Sequence, residues 1–447
     1  MDREEAEEAR THAGKGEDLT RREFLGRTLA GAGCLGLVLD TGSITDFLWD
    51  LLEPEESSTV FKGDAPGPDV WAAWKARGWV KEGRHYLKLG RNVQCKVCPN
   101  DCLLEPGDRS HCRNRVNMDG TLYTMAYANP CTFHVDPIEK KPLLHFLPST
   151  GAFSIAISGC GFRCLNCQNW EISQKKPEET KDPRGPAFRV TPATVSRLRR
   201  SDLARMTMLP EDVVALALAL NCRSVAYTYS EPTVWHEYMA DTAKLARARG
   251  LKNVWVTCGY ITSEALADVG RYLDAANVDL KSFDPAVYKT LNTGKLEPVL
   301  DTLKMLDKMG VWFEVTNLVV PTYTDNLDMI RRMCDWLVDN VGPDYPLHFS
   351  RFHPAHKLTH LPPTPVDFLI RAREVARNAG LHHVYIGNVR GVKDAETTFC
   401  PVCGKAVVER DVFSVTANHI EQGKCAFCQA PIAGVWQDEA NGGSFSR

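Results

Sequence analysis

The sequence predicts an α/β fold, an open barrel of six βα units flanked by an N-terminal four-cysteine module and a C-terminal ribbon. Three observations predict it. From Phe153 onward, short apolar strand-like runs alternate with longer helical ones, which is the pattern of a parallel sheet or barrel. Six such units are too few to close an eight-stranded barrel. Eleven of the sixteen cysteines fall into compact groups at 95–112, 160–167 and 400–428. Clusters of that kind in a large α/β chain read as metal ligands rather than a disulfide framework.

Taken in order, residues 1–65 read as a tail and linker. Within them Thr20-Arg21-Arg22-Glu23-Phe24-Leu25 resembles a twin-arginine export signal, and the apolar stretch after it, Thr28 to Leu39, is too short to span a bilayer. Residues 70–150 form the first cysteine module, with Cys95, Cys98, Cys102 and Cys112. Residues 151–390 form the barrel. Its strands are expected at Phe153–Ser158, Ser224–Tyr229, Asn253–Cys258, Asn277–Lys281, Trp312–Val319 and Leu347–Phe352. Its helices are expected at Glu211–Leu220, Val234–Arg249, Pro298–Met309, Leu327–Val338 and Pro365–Ala379. The stretch 175–209 breaks the alternation. Its four prolines and the basic run Arg197–Arg200 read as a solvated insertion, with a lid or partner loop as the alternative. Residues 395–436 carry Cys400, Cys403, Cys425 and Cys428. The remaining cysteines, Cys34, Cys131, Cys222, Cys258 and Cys334, read as small buried hydrophobes. A formal net charge of −3 gives no electrostatic case for nucleic acid.

The strongest chemical signal follows the first barrel strand. Cys160-x3-Cys164-x2-Cys167 supplies three thiolates, whereas a [4Fe–4S] cluster normally takes four. Three ligands leave one iron open to a small molecule, and a loop after a parallel strand is where such folds place their chemistry. This is the ligand count expected of an enzyme that binds S-adenosylmethionine (SAM) on the open iron and cleaves it to a 5′-deoxyadenosyl radical. Around the loop, Asp136-Pro137-Ile138-Glu139-Lys140-Lys141-Pro142-Leu143, His145-Phe146-Leu147-Pro148 and Gln168-Asn169-Trp170-Glu171-Ile172-Ser173-Gln174 resemble the AmmeMemoRadiSam group of radical SAM enzymes. That group is similar to the pyruvate formate-lyase activating enzymes. The resemblance covers roughly residues 90–436. It departs at Asn166, where these enzymes usually place an aromatic residue near the adenine.

The resemblance implies further SAM contacts. Tyr229-Ser230-Glu231-Pro232 takes the place of the motif that meets the SAM amino group, with Ser230 and Glu231 as acceptors. Asp279-Leu280-Lys281 resembles the motif that touches the methionyl and ribose parts. His353 takes the place of a SAM-contacting histidine, and Asn166 faces the adenine. From the residues alone, Cys95, Cys98, Cys102 and Cys112 suit either zinc or a second, auxiliary Fe–S cluster. The C-x2-C pairs Cys400/Cys403 and Cys425/Cys428 read as a zinc ribbon. The expected activity is hydrogen abstraction from a substrate that includes proteins among its candidates. It would be fed by a low-potential donor of the flavodoxin or ferredoxin type. Two other classes stand beside it: a catalytically silent metal-stabilised binding module and an Fe–S electron-transfer protein. SAM and low-potential electrons place the protein in the cytoplasm or on the cytoplasmic face of the membrane, associated through its N-terminus. Twin-arginine export is the alternative.

Overall fold

The computed structural model describes residues 62–436. The twin-arginine-like segment and Cys34 lie outside the described residues. Among the described residues no helix is long and apolar enough to cross a membrane.

An eight-stranded sheet dominates the chain. Its strands are β1 (Thr132–Pro137), β2 (Gly151–Ala156), β3 (Ser224–Tyr227), β4 (Lys252–Thr257), β5 (Ala275–Asp279), β6 (Trp312–Val319), β7 (Leu347–Arg351) and β8 (Val384–Gly387). Spatial order follows chain order from β1 to β8. Strands β2 to β8 run parallel, and β1 pairs antiparallel with β2, Phe153 facing Val135. The six expected parallel strands are therefore joined by a seventh, β8, so the count of six is corrected. Strand β8 is only Val-Tyr-Ile-Gly, and no further helical unit marks it as part of the alternation.

Parallel strands need crossovers, and six helices supply them: α1 (Pro210–Ala219), α2 (His236–Ala248), α3 (Ser263–Gly270), α4 (Glu297–Met309), α5 (Leu327–Asn340) and α6 (Val366–Asn378). Covered on both faces, the strands read as apolar runs. All four residues of β3, Ser-Val-Ala-Tyr, are buried. The helices are amphipathic. On α5, Met329, Ile330, Met333, Cys334 and Leu337 are buried at helical spacing, and Asn326 caps its start by accepting from the Met329 N–H at 2.9 Å.

The end of the barrel at the N-termini of the strands is closed by a polar lock. Glu314, fully buried near the start of β6, accepts from the backbone N–H of His145 (2.7 Å) and Leu144 (3.0 Å) and from His348 Nε2 (2.6 Å). Burial holds His145 well below its ordinary pKa. Ala433 O can only accept, so Nδ1 carries the proton and donates at 2.7 Å, while Nε2 accepts from the Tyr385 hydroxyl. Tyr385 in turn bonds Thr398, which accepts from Arg410, and Arg410 also donates to Leu144 O at 2.6 Å. The motif His145–Pro148 thus ties the C-terminal segment to the barrel floor, where Phe146 bridges Val435.

Ahead of β1, small antiparallel sheets gather around Trp74, Trp79, Val116 and Met125. A bidentate pair, Arg115 to Glu237 of α2 at 3.0 and 2.8 Å, fixes this region to the barrel, with both side chains buried. The stretch 175–209 is solvated only in part: 184–187 and 199–201 are exposed, but its two ends and Val190 pack inward. Val190, Met206 and Met208 are fully buried in the main core. Buried Lys181 donates to Leu203 O and Met206 O, and Trp79 donates to Thr207 Oγ1 at 2.9 Å.

Replacing Glu314 by Ala strands four buried donors at once, the Trp312 indole N–H at 3.4 Å being the fourth. We expect a loss of about 3–5 kcal/mol of unfolding free energy, read by chemical denaturation. A loss below about 1 kcal/mol would contradict the lock.

Candidate active site

The loop that follows β2 carries Cys160, Cys164 and Cys167, and it is clamped from several sides. Arg163 N–H donates to Asn292 O (3.0 Å), and Leu165 N–H donates to Leu291 O (2.9 Å). Leu165 O accepts from Lys357 N–H (2.9 Å), on the segment beyond β7, and Gly159 N–H reaches Ile172 O (3.0 Å). Two glycines permit the approach. At Gly159, φ is +97°, and a Cβ would stand 2.5 Å from Asn114 Oδ1 and 2.7 Å from Cys112 O. At Gly294 a Cβ would stand 2.3 Å from the Phe162 ring.

Each sulfur of the loop has a hydrogen-bond partner. Phe162 N–H donates to Cys160 Sγ at 3.3 Å, Asn292 Nδ2 donates to Cys164 Sγ at 3.2 Å, and Ser173 Oγ lies 3.1 Å from Cys167 Sγ. Burial, then the neighbouring Glu231 carboxylate, pushes the Cys160 thiol up. Burial raises Cys164 as well, with Lys281 opposing. Bare thiolates are disfavoured here, and a cationic group bound by the three sulfurs would supply the missing compensation. Buried oxygens without a protein partner remain on Asn166, Asn292 and Asn317. Three sulfurs with matched donors and free acceptors nearby fit a three-thiolate cluster carrying a polar ligand.

The strand ends bring the other expected residues to the loop. Glu231, just beyond β3, is buried. Its carboxylate accepts from Thr233 N–H and Oγ1, from Thr257 Oγ1 and from Cys258 N–H at 2.7–3.0 Å. It therefore welds the ends of β3 and β4 while standing close enough to Cys160 to shift it. Ser230 Oγ donates to Ile157 O and accepts from Trp235 Nε1, so it fixes the turn. Lys281 Nζ lies 2.9 Å from Asp279 Oδ2. Burial opposes its charge, but Asp279 and then the Cys164 and Cys258 thiols hold the ammonium well above its ordinary pKa. Asn166 is half-buried. His353 is exposed, on the same segment as Lys357, so it stands beside the loop rather than in its buried centre.

Some participants were not legible as such. Cys258 is buried at the end of its strand, as expected, but its place beside Glu231 and Cys160 was not foreseen. Asn292 and Ser173 carry no motif of their own and are found only through their sulfur contacts. The Asp136 motif has a structural task. Asp136 binds Lys141 (2.6 Å), Lys140 (2.9 Å) and the Tyr229 hydroxyl, and Lys141 lies 4.5 Å over the Tyr229 ring. Burial lowers Lys141 to about 8 in spite of Asp136. This cluster holds Tyr229 in a left-handed conformation, φ +66°, one residue before Ser230 and Glu231.

Two further cysteine groups are assembled. Cys400 and Cys428 sulfurs stand 3.6 Å apart, those of Cys403 and Cys425 3.8 Å apart, and all four lie within 4.8 Å of one another. Cys95, Cys98, Cys102 and Cys112 are buried around one cavity with Val97, Arg115 and Val234.

Residues 154–337 match the model of the radical SAM superfamily. An uncharacterised protein of Methanocaldococcus jannaschii is 43% identical over 356 residues, 79% of this chain and 99% of its own length. The chain belongs to the radical SAM superfamily. It is an enzyme of the activating-enzyme-like kind: the pyruvate formate-lyase-activating enzyme of Clostridium pasteurianum is 24% identical over 191 residues, 42% of this chain and 69% of that one. A solved domain of the corresponding enzyme from Bacteroides vulgatus overlaps with a TM-score of 0.33 at 17% identity, covering 37% of this chain and 99% of that domain. Radical SAM chemistry is therefore the chemistry of this chain, and the superfamily uses a [4Fe–4S] cluster and SAM.

If the Asp136 cluster positions the Tyr229–Glu231 turn for this radical SAM enzyme, Asp136→Ala should weaken SAM binding by roughly 10- to 100-fold while leaving the iron content of the loop intact. Equilibrium binding to the reconstituted protein checks this, and unchanged affinity would remove Asp136 from the site's support.

Proposed function

We propose that the enzyme removes a hydrogen atom from a protein or peptide substrate, with Cys160, Cys164 and Cys167 as the three cluster ligands. The observation that carries the reading is the set of donors converging on those sulfurs, with Glu231, Asp279 and Lys281 at neighbouring strand ends. When bound, the reduced cluster and SAM supply a 5′-deoxyadenosyl radical.

The chain's own residues bind and orient. Glu231 presents a carboxylate, already anchored by four donors, to an ammonium group. Lys281, kept charged beside Asp279, offers a point charge to a carboxylate. Asn166 Oδ1, buried without a protein partner, is the group in this chain suited to accept from the adenine edge where relatives place a ring. His353 would join from the rim. A protein substrate is supported by the likeness to a relative whose name states that it activates another enzyme, and the AmmeMemoRadiSam motifs support that subgroup. A one-electron donor of low potential completes the requirement, which favours the cytoplasm or the cytoplasmic face of the membrane.

At the C-terminus the proposed metal is zinc. A tetrahedral ion with Zn–S bonds of about 2.3 Å sets its sulfurs about 3.8 Å apart, which matches the 3.6 and 3.8 Å separations. The ion would stabilise a segment whose own buried cluster includes only Cys400, Val407, Cys425 and Ile432.

The protein loaded anaerobically with iron and sulfide, reduced with dithionite and given SAM is expected to form 5′-deoxyadenosine. Cys164→Ala should abolish that product while leaving the zinc content unchanged, and retained product would refute the loop as the cluster site. Cys403→Ser should release the C-terminal zinc and lower the unfolding temperature of that segment first. Unchanged zinc would refute that site.

A further inference from the structure

We infer that Cys95, Cys98, Cys102 and Cys112 hold a second, fully ligated four-iron cluster rather than zinc. Two elements assemble the set. Cys95 ends the strand Asn92–Cys95, and its N–H donates to Cys102 O at 2.9 Å across a hairpin whose turn carries Cys98. Asp101, with φ +47°, closes that turn through its N–H to Cys98 O at 3.1 Å. Cys112 enters from a second turn, closed by Arg113 N–H to Ser110 O at 2.9 Å. All four thiols are buried and free of disulfides, and all line one cavity.

Sulfur spacing separates the two metals. A single tetrahedral zinc ion draws four sulfurs to about 3.8 Å from one another. A cubane has an iron at each of four corners and holds its cysteines farther apart. This chain contains its own standard for each case. The C-terminal four lie mutually within 4.8 Å, and among the described residues only one other group, His85, His236 and Asp268, brings three such ligand atoms that close. Cys95, Cys98, Cys102 and Cys112 do not, and neither do Cys160, Cys164 and Cys167. The first cysteine module, like the radical SAM loop, thus lacks the close sulfur packing that a lone zinc imposes, and to that extent the inference rests on the reading of that loop. Four thiolates leave no iron open, so this cluster would bind no SAM. Ser110 Oγ lies 3.1 Å from Cys112 Sγ, as Ser173 Oγ does from Cys167 Sγ.

The site abuts the loop directly. Asn100 Nδ2 donates to Gly161 O and Asn114 Nδ2 to Ser158 O, both at 2.8 Å. The Arg163 guanidinium spans the two groups, donating to His111 O on one side and to Cys160 O on the other. Gly159 is glycine because Cys112 O and Asn114 occupy the space of its side chain.

The test is metal counting on the full chain carrying Cys160→Ala, Cys164→Ala and Cys167→Ala, loaded anaerobically with iron and sulfide in the presence of zinc. We expect about four irons and four sulfides per chain, a dithionite-reducible paramagnetic signal and one zinc. Adding Cys98→Ser and Cys102→Ser should remove the iron and keep the zinc. Two zinc ions with no iron in the triple variant would overturn the inference, as would iron that survives the two added serines. The wild-type chain is a check that needs no variant to fold: about eight irons support the second cluster, whereas about four irons with two zinc ions refute it. A wild type that cleaves SAM on four irons sinks only the second cluster. A triple variant that keeps four irons from a wild type unable to bind SAM sinks only the reading of the loop.

Discussion

Three cysteine sulfurs held in one short, partly buried loop, each with its own partner, form the constraint on which the rest of the molecule depends. Burial disfavours a bare thiolate, so hydrogen bonds, and the charge of any cluster the loop holds, must replace the lost water. The partners come from three places: Phe162 N–H within the loop, Asn292 beyond β5, and Ser173 on the short helix after it. Shifting any of them changes the field at a sulfur, and such hydrogen bonds help set the potential of a cluster.

The barrel serves this loop from both ends. At the strand C-termini, one buried carboxylate, Glu231, joins β3 to β4 through Thr257 and Cys258 and brings its charge next to Cys160. At the opposite end Glu314 gathers two backbone amides and His348, and His145 passes the connection to the C-terminal segment. From the side, Arg115 and Glu237 fasten the first cysteine module so that Cys112 and Asn114 meet Gly159. Each attachment is a charged or polar group satisfied several times over, which is how a buried charge is tolerated.

Much of this was legible in the sequence because its signals are periodic or chemically exclusive. The six strands from Phe153 to Phe352 stand out as apolar runs, since a parallel sheet covered on both faces allows little else. The C-x3-C-x2-C loop is legible because few other chemistries need three thiolates at that spacing. Strand β8 was missed because four residues show no usable period. The anchoring of the stretch 175–209 was not legible because it depends on a few residues, Val190, Met206 and Met208, amid proline and arginine. Asn292 and Cys258 were not visible as site residues, because long-range packing rather than local pattern delivers them. The Asp136 motif was visible only as a resemblance to the AmmeMemoRadiSam group, and its task of restraining Tyr229 across 93 positions of sequence emerges only in three dimensions.

The central claim is that the three-cysteine loop leaves one iron open and that SAM occupies it. Electron paramagnetic resonance of the reduced protein, recorded with and without SAM, tests this most directly. To isolate the loop, the spectra should be taken on chains carrying Cys98→Ser and Cys102→Ser, so that signal arises there alone. The account predicts that SAM shifts the g values of the reduced cluster. A spectrum unchanged by saturating SAM on a fully loaded cluster would contradict it.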